Sequence, residues 1–415
     1  MKKRLLSIIL AAVVLTASLP IMSVSAADED FQISECPTVT FGEYPQSKVT
    51  DEATIAALDG IEKEWVSYGY YSGTNTLDDG NMTNSDYMKF ADVQIGSNKY
   101  RCVYFDQYRP WQTGLQSSNE ASYSYQDDNG YFINNIYYFK YEPLQWRLLD
   151  PENGLLMCNS VIDSQAYNNF LLHSDEGWWG DIEKTFFSSD WANCSLRNWL
   201  NNDFYNSAFS TGQKSKIMTV SNDNKSKDSA IYDGASTDDK VYLLSFWDAI
   251  NSSYGFSSEQ EKSDSARMIK SSDYAKCQGC YISKQSNYAG NTMWWVRSPF
   301  YSYNAGIVYS DGKANANNYV NFISYGVVPA ISVADICSVC NHNYTCSDTS
   351  EATHSYMCSI CGDIKTESHS FDISGKCDCG FAKKVFENGD IIKVGSYPQS
   401  KVTDEDLIAE LNRKR

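Results

Sequence analysis

The sequence is poor in the groups that nucleophilic enzymes use. It has four histidines among 415 residues, and only His173 precedes the C-terminal region. No nucleophile-elbow sequence accompanies His173, so the sequence gives little support to Ser-His or Cys-His catalysis. Acidic residues are plentiful, and a pair of them working on a glycoside remains open. A binding protein is therefore the leading interpretation, and a carboxylate-dependent extracellular hydrolase of cell-wall or host glycans is the alternative.

Positive charge and long apolar runs are also scarce. Lys and Arg total 34 against 52 Asp and Glu, and the formal net charge is −18. The one long apolar run, residues 5–19, follows three basic residues and precedes a small-residue stretch at 24–26, which predicts a signal peptide over residues 1–27. Its removal would shift the net charge to about −21, which disfavours nucleic acid as a partner. We expect a secreted or cell-surface chain without a transmembrane segment after signal removal.

One nine-residue segment of the sequence occurs twice. Residues 44–52 and 397–405 are identical, and Ile55-Ala56 recurs as Ile408-Ala409 at the same offset of 353 residues. The second copy has too little sequence after it for another core. Residues 383–415 are therefore predicted to be the truncated start of a second module, and to be poorly ordered.

The body of the chain indicates an α+β fold of short strands, few helices and long loops. Residues 60–140 are polar and aromatic, which suggests an insertion made of long loops and short strands. Alternating apolar residues before and after a turn at 150–154 predict a hairpin. Apolar residues at helical spacing predict a helix that Ser195 would cap, and Ser245 with Asp248 has capping-box spacing.

Six sequence motifs in the main part of the chain resemble the bacterial domain of unknown function 6273. In chain order they are FGEYPQ at 41–46, EPLQWRLL at 142–149, SLRNWLNNDFY at 195–205, VYLLS at 241–245, WWVRSP at 294–299 and GVVPA at 326–330. The resemblance covers residues 41–333 and implies an extracellular module, assigned here to residues 28–335. It also implies a C-type-lectin-like fold, similar to relatives of the formylglycine-generating enzyme. The chain departs from the family pattern at Phe300 and Val328.

The resemblance implies a ligand face in the late loops of the module. Adjacent strand residues point to opposite sides. We therefore expect one of two neighbouring tryptophans to lie in the core and the other to stack on a surface carbohydrate or on a partner protein. The predicted ligand-binding residues are Trp294, Trp295, Arg297, Tyr301, Tyr303 and Asn304.

The cysteine-rich segment 336–382 predicts a small metal-stabilised spacer. Its Cys-x2-Cys-x17-Cys-x2-Cys spacing fits a four-thiolate structural zinc site, resembling a zinc ribbon, at Cys337, Cys340, Cys358 and Cys361. Disulfides compete with zinc outside the cell. Additional histidines and the pair Cys377 and Cys379 leave a second site or alternative ligation open.

Two further site predictions concern the body of the chain. Cys277 and Cys280 have redox spacing without a thioredoxin-like βαβ pattern, so a structural disulfide is the favoured interpretation. The acidic turns at 78–81 and 127–130 could supply oxygen ligands to calcium, although neither fits the EF-hand register. Ordinary turn chemistry accounts for both turns, and calcium is the minor alternative.

Overall fold

A computed structural model describes residues 38–67, 88–113, 125–169, 187–340, 342–350, 352–383, 403 and 405–413. The predicted signal peptide, His173 and the acidic turn at 78–81 lie outside the described residues. The chain divides into two compact units, the first ending at Asn341 and the second beginning at His342.

A large antiparallel sheet forms one part of the first unit, and its longest strand, β5, organises it. One edge of β5 pairs with β1, and the other pairs first with β4 and then with β6. The path continues outward through β3 and β2 on one side and through β16 on the other. The strands of this sheet are β1 (Thr38–Lys48), β2 (Val66–Ser67), β3 (Met88–Ile95), β4 (Asn98–Phe105), β5 (Ile136–Asp150), β6 (Leu155–Cys158) and β16 (Ala330–Ser332).

A five-stranded sheet holds the tryptophan-rich strand. Its order is β14-β13-β12-β15-β7, with β12 and β15 parallel and the other pairs antiparallel. Two short two-stranded ladders join β8 to β9 and β10 to β11. These strands are β7 (Asp163–Ser164), β8 (Val220–Asn222), β9 (Thr237–Asp239), β10 (Ile269–Lys270), β11 (Asn291–Thr292), β12 (Trp294–Tyr301), β13 (Asn304–Val308), β14 (Ala316–Tyr319) and β15 (Gly326–Val327).

The helices of the first unit are short. They are α1 (Glu52–Asp59), α2 (Ser195–Trp199), α3 (Tyr205–Ala208), α4 (Thr211–Lys214), α5 (Phe246–Ala249) and α6 (Asp273–Cys277). A π-helical turn, Leu200–Phe204, joins α2 to α3. Many strands with few helices confirm the predicted α+β class.

The local predictions met different outcomes. The hairpin is confirmed as β5 and β6, and the Ser245–Asp248 capping box is present at α5. The helix predicted from Ser195 is present, but its N-cap is Cys194, whose sulfur accepts a hydrogen bond from the Arg197 amide. Strands β3 and β4 lie inside the predicted insertion, yet they are part of the large sheet.

Four fully buried tryptophans mark the core of the first unit. The Nε1 atom of each indole donates a hydrogen bond, so the polar end of each ring is satisfied. The donor–acceptor pairs are Trp146 to the Phe41 carbonyl at 2.6 Å, Trp191 to Asp239 at 3.1 Å, Trp294 to the Arg267 carbonyl at 3.0 Å and Trp295 to the Gln165 carbonyl at 2.9 Å. This core holds both sheets in place.

The second unit contains a three-stranded antiparallel sheet of β17 (Tyr344–Thr349), β18 (Thr353–Cys358) and β19 (Ile364–Ser368). A compact segment at 371–382 follows, closed by bridges between Phe371 and Cys377 and between Lys376 and Ala382.

A last helix, α7 (Glu405–Arg413), lies in the repeated phrase. It begins 353 residues after Glu52, where α1 begins, so the two copies have the same local secondary structure there. The prediction of poor order for 383–415 falls largely on residues outside the described ones. Among the described residues, no helix is both long and apolar enough to cross a membrane.

Candidate functional sites

The tryptophan pair predicted to bind a ligand belongs to the core. Trp294 and Trp295 are both 0 % exposed. Alternation does send them to opposite sides of β12, but both sides are covered, and every residue of β12 except Tyr301 is buried. The expectation that one indole would stack on a ligand is therefore wrong.

Arg297 is also committed to the interior. Its Nη1 donates to the Leu243 carbonyl at 2.8 Å and lies 2.9 Å from the Asp248 carboxylate. Asp248 is the residue that completes the capping box of α5. Arg297 therefore holds α5 against β12, and its guanidinium has a structural role.

Of the remaining predicted residues, Tyr303 and Asn304 lie at an accessible surface that we call the aromatic–amide face. Its members come from the turn between β12 and β13, from the start of β13, from the edge strand β14, and from segments at 111–112 and 322. They are the rings of Trp111, Tyr303, Tyr319 and Phe322 and the side-chain amides of Gln112, Asn304 and Asn317. All seven are partly exposed. Tyr301, which is 41 % exposed, is the last residue of β12, before the turn, and its ring contacts Tyr232.

The rings of this face form a near-parallel row. Tyr303 and Tyr319 have centroids 5.5 Å apart at an interplanar angle of 23°, and Tyr319 and Phe322 are 6.0 Å apart at 11°. Trp111 meets Phe322 edge-on at 4.6 Å. Pairing of Asn304 with Tyr319 across β13 and β14 sets this arrangement. Mutual contact holds the rings in place while each keeps some exposed surface.

Polar groups border the rings. Asn304 donates to the Asn317 amide oxygen at 3.0 Å, and Gln112 donates to Asn321 at 3.3 Å. Burial, with the neighbouring Tyr319, raises the pKa of Tyr303, so its phenol stays neutral near pH 7. Rings flanked by neutral donors and acceptors suit a ligand that has both apolar faces and hydroxyl groups.

A concave feature lies between the end of β1 and the start of β5. This open pocket is lined by Lys48, Val49, Ile55, Gly130, Phe132, Asn135, Ile136, Tyr137 and Tyr138. Phe132 is 52 % exposed there. The Lys48 ammonium lies 5.0 Å from the centre of the Tyr137 ring, which holds this cation at the pocket wall.

Several carboxylates of the first unit are tied to arginines. Asp92 pairs with Arg101 at 2.9 Å, and Asp239 pairs with Arg197 at 2.6 Å. Asp239 also accepts hydrogen bonds from Trp191, Asn222 and Thr237. Fixed pairs of this kind hold the fold together.

The predicted zinc ligands are only partly brought together. Cys340, Cys358 and Cys361 form a group with His342, and their ligand atoms all lie within 4.8 Å of one another. Cys337 is not in this group. It lies in a 3-10 turn, Ile336–Ser338, where its backbone amide donates to Asp335 at 2.9 Å.

The turn after β18 favours a thiolate. Burial opposes ionisation of Cys358, but the backbone amides of Cys361 and Ile360 outweigh it and lower the pKa of the thiol to about 6. His342 Nδ1 lies 3.4 Å from the Cys361 sulfur. A second group in this region contains His354, His369, Cys377 and Cys379. These groups could bind a metal such as zinc.

The other site predictions have simpler outcomes. Cys277 and Cys280 are buried thiols with no disulfide between them, and the Cys280 sulfur lies 3.0 Å from Thr292 Oγ1. Burial raises the pKa of Cys280 to about 11, so this thiol is unreactive at neutral pH. In the acidic turn at 127–130, Asp128 pairs with Lys284 at 3.1 Å, and the Asn129 amide donates to two backbone carbonyls.

Sequence reasoning missed several members of these sites. Tyr319 and Phe322 lie in an asparagine-rich stretch without a recognised motif, and Trp111 is far away in sequence. The additional histidines were expected to allow alternative ligation, and the structure brings His342 into the group of Cys340, Cys358 and Cys361. A histidine so close to a cysteine ligand is a usual zinc ligand.

Comparisons with known proteins agree with the resemblance for part of the chain. Residues 152–335 match the model of the domain of unknown function DUF6273. This match supports the resemblance over the C-terminal part of the module, from residue 152 onward. Neither the curated proteins nor the solved structures contain a match to the chain.

Proposed function

We propose that the chain is an extracellular carbohydrate-binding protein whose ligand stacks on the aromatic–amide face. The near-parallel row of Tyr303, Tyr319 and Phe322 carries this proposal. Half-buried aromatic rings of fixed orientation match the apolar faces of sugar rings, and the amides of Asn304 and Asn317 match hydroxyl groups.

The export of the chain and its C-type-lectin-like fold are parts of the same proposal. The apolar N-terminal run supports export, and the position of the face in late loops supports the fold. The cysteine-rich segment 336–382 acts as a spacer stabilised by zinc at Cys340, His342, Cys358 and Cys361. A protein partner at the same face is an outcome that the binding experiment distinguishes.

The test is binding of the mature chain to an array of bacterial cell-wall and host glycans, followed by titration with the strongest glycan. Tyr303→Ala/Tyr319→Ala removes two rings of the row and should weaken binding at least about tenfold, since loss of a well-placed interface ring costs more than about 1 kcal/mol. Phe132→Ala removes an exposed ring at the pocket and is the matched control, with unchanged binding expected.

Three results would count against the proposal. The first is full glycan binding by a correctly folded Tyr303→Ala/Tyr319→Ala variant, and the second is absence of binding to every glycan on the array. The third is release of shortened glycan that a single Asp or Glu substitution abolishes, which would establish the alternative, a carboxylate-dependent hydrolase.

A further inference from the structure

The described part of the second unit has almost no buried side chains. Between His342 and Lys383 only His354, Cys358 and Cys377 are buried. The apolar residues Met357, Ile364 and Ile373 are all exposed. A unit of this size has too little apolar surface to fold on hydrophobic burial and needs another stabilising element.

The group of His354, His369, Cys377 and Cys379 has the dimensions of a tetrahedral zinc site. The two Nδ1 atoms are 3.1 Å apart, and the contacts between imidazole nitrogen and sulfur are 3.7 Å and 3.5 Å. Zinc–nitrogen bonds of about 2.05 Å and zinc–sulfur bonds of about 2.3 Å place tetrahedral ligand atoms roughly 3.3 Å (N to N) and 3.6 Å (N to S) apart. The observed spacings match these edges.

The histidine orientation suits metal binding. His369 Nε2 lies 2.8 Å from the Ser350 carbonyl. A proton on Nε2 satisfies that carbonyl and leaves Nδ1 with its lone pair directed at the cysteines. The ring is also stacked on Phe381, with centroids 4.4 Å apart at 16°. Hydrogen bonding and stacking thus fix both the tautomer and the position of this ligand.

The cysteines come from one tight turn. Cys377 accepts a hydrogen bond from the Gly380 amide through its carbonyl at 2.8 Å, and its own amide donates to Phe381 at 2.8 Å. Gly380 has φ of +90°, a conformation that favours glycine. The turn presents Cys377 and Cys379 to two histidines that belong to the three-stranded sheet and its exit.

We propose that His354, His369, Cys377 and Cys379 bind one zinc ion through both Nδ1 atoms and both sulfurs, separately from the group that contains Cys358. His354 and Cys358 are four residues apart on β18, which corresponds to about 13 Å along a strand. The two groups therefore bind different ions. The second ion joins the segment 371–382 to the sheet, and each thiol releases a proton when the ion binds.

The experiment measures zinc per chain in the full mature protein, purified with reductant and loaded with zinc. The wild-type chain should hold two ions. Cys377→Ser/Cys379→Ser should lose one. Cys346→Ser is the matched control, because Cys346 is an exposed thiol of β17 outside both groups, and this variant should keep both ions.

Cobalt(II) distinguishes the two sites through charge-transfer absorption, whose intensity follows the number of thiolate ligands. The group with Cys358 offers three thiolates and one imidazole, and the proposed site offers two of each. Cys358→Ser/Cys361→Ser should retain one cobalt ion with the weaker, two-thiolate spectrum.

Several results would overturn the proposal. They are an unchanged zinc content in Cys377→Ser/Cys379→Ser, loss of both ions from each double variant, and a disulfide between Cys377 and Cys379 found by mass spectrometry in the exported protein.

Discussion

The two units of this chain are stabilised in opposite ways. The first has a dense apolar core with four fully buried tryptophans, two of them adjacent on β12. The second has three strands, yet its described buried residues are a histidine and two cysteines. Apolar packing therefore stabilises the first unit, whereas on our proposal the second depends on bound zinc.

Cysteine has a different structural environment in each of the two units. Cys277 and Cys280 are buried thiols in an apolar core, whereas Cys358 is the last residue of β18, before a turn whose amides favour its thiolate. The ten tryptophans all precede residue 296. Tryptophan fluorescence is consequently a probe of the first unit alone, which allows each unit to be followed separately.

Metal removal should produce the largest effect and confine it to the second unit. Apparent binding energies of structural zinc are about 10–16 kcal/mol in zinc-finger peptides, which exceeds the stability of most small domains. A chelator should therefore unfold β17, β18 and β19. Hydrogen exchange of residues 344–368 should become fast, while residues 136–158 stay protected and tryptophan fluorescence stays unchanged.

If residues 344–368 kept their protection from hydrogen exchange in the metal-free chain, the second unit would not depend on metal binding for its stability. Re-addition of zinc is the control, and it should restore slow exchange. Magnesium at the same concentration should not, because it prefers oxygen ligands.

Substitution within the tryptophan pair should have the next largest effect, this time in the first unit. Trp294→Ala/Trp295→Ala removes two fully buried rings at about 3–5 kcal/mol each, and the sum approaches the whole stability of a typical domain. Thermal unfolding followed by circular dichroism should show loss of the first unit. Trp247→Ala is the control, since that ring is 51 % exposed. A double variant that melts like the wild type would contradict this expectation.

Local patterns in the sequence were sufficient for the hairpin of β5 and β6 and for the capping box at Ser245. Both depend on residues close in sequence, and their physical causes are local. The alternation on β12 was also read correctly. The alternation could not predict that both sides of the strand are buried. The residues that cover it lie around Gln165 and Arg267, which are far from β12 in the chain.

The same limit applies to the candidate sites. Cysteine spacing located the metal-binding region, but the pairing of Tyr344 with Cys358 decides which side chains meet. That register brings His342 to Cys361. The aromatic–amide face combines residues 111, 303, 319 and 322, and only tertiary structure joins them.

The smallest of the expected effects is a loss of stability of the first unit at low pH. Asp92 should account for part of this loss. Burial opposes ionisation of Asp92, but hydrogen bonds and charge from Arg101, with the Tyr141 hydroxyl, outweigh burial and lower its pKa. A carboxyl whose folded pKa is depressed stabilises the fold above its unfolded pKa of about 3.9, and that stabilisation is lost as the pH falls towards the folded value.

Asp92→Asn should therefore lower stability at neutral pH and flatten its decline below about pH 4, the usual unfolded range for Asp. Urea unfolding followed by tryptophan fluorescence measures this in the first unit alone, because all ten tryptophans precede residue 296. Asp128→Asn is the matched control, because Asp128 pairs with Lys284 at an exposed position where screening leaves little energy. If the stability of the two variants depended on pH in the same way, Asp92 would not be a source of the acid sensitivity. The contacts of Arg101 with Tyr274 and Tyr141 would then be what holds this buried side chain in place.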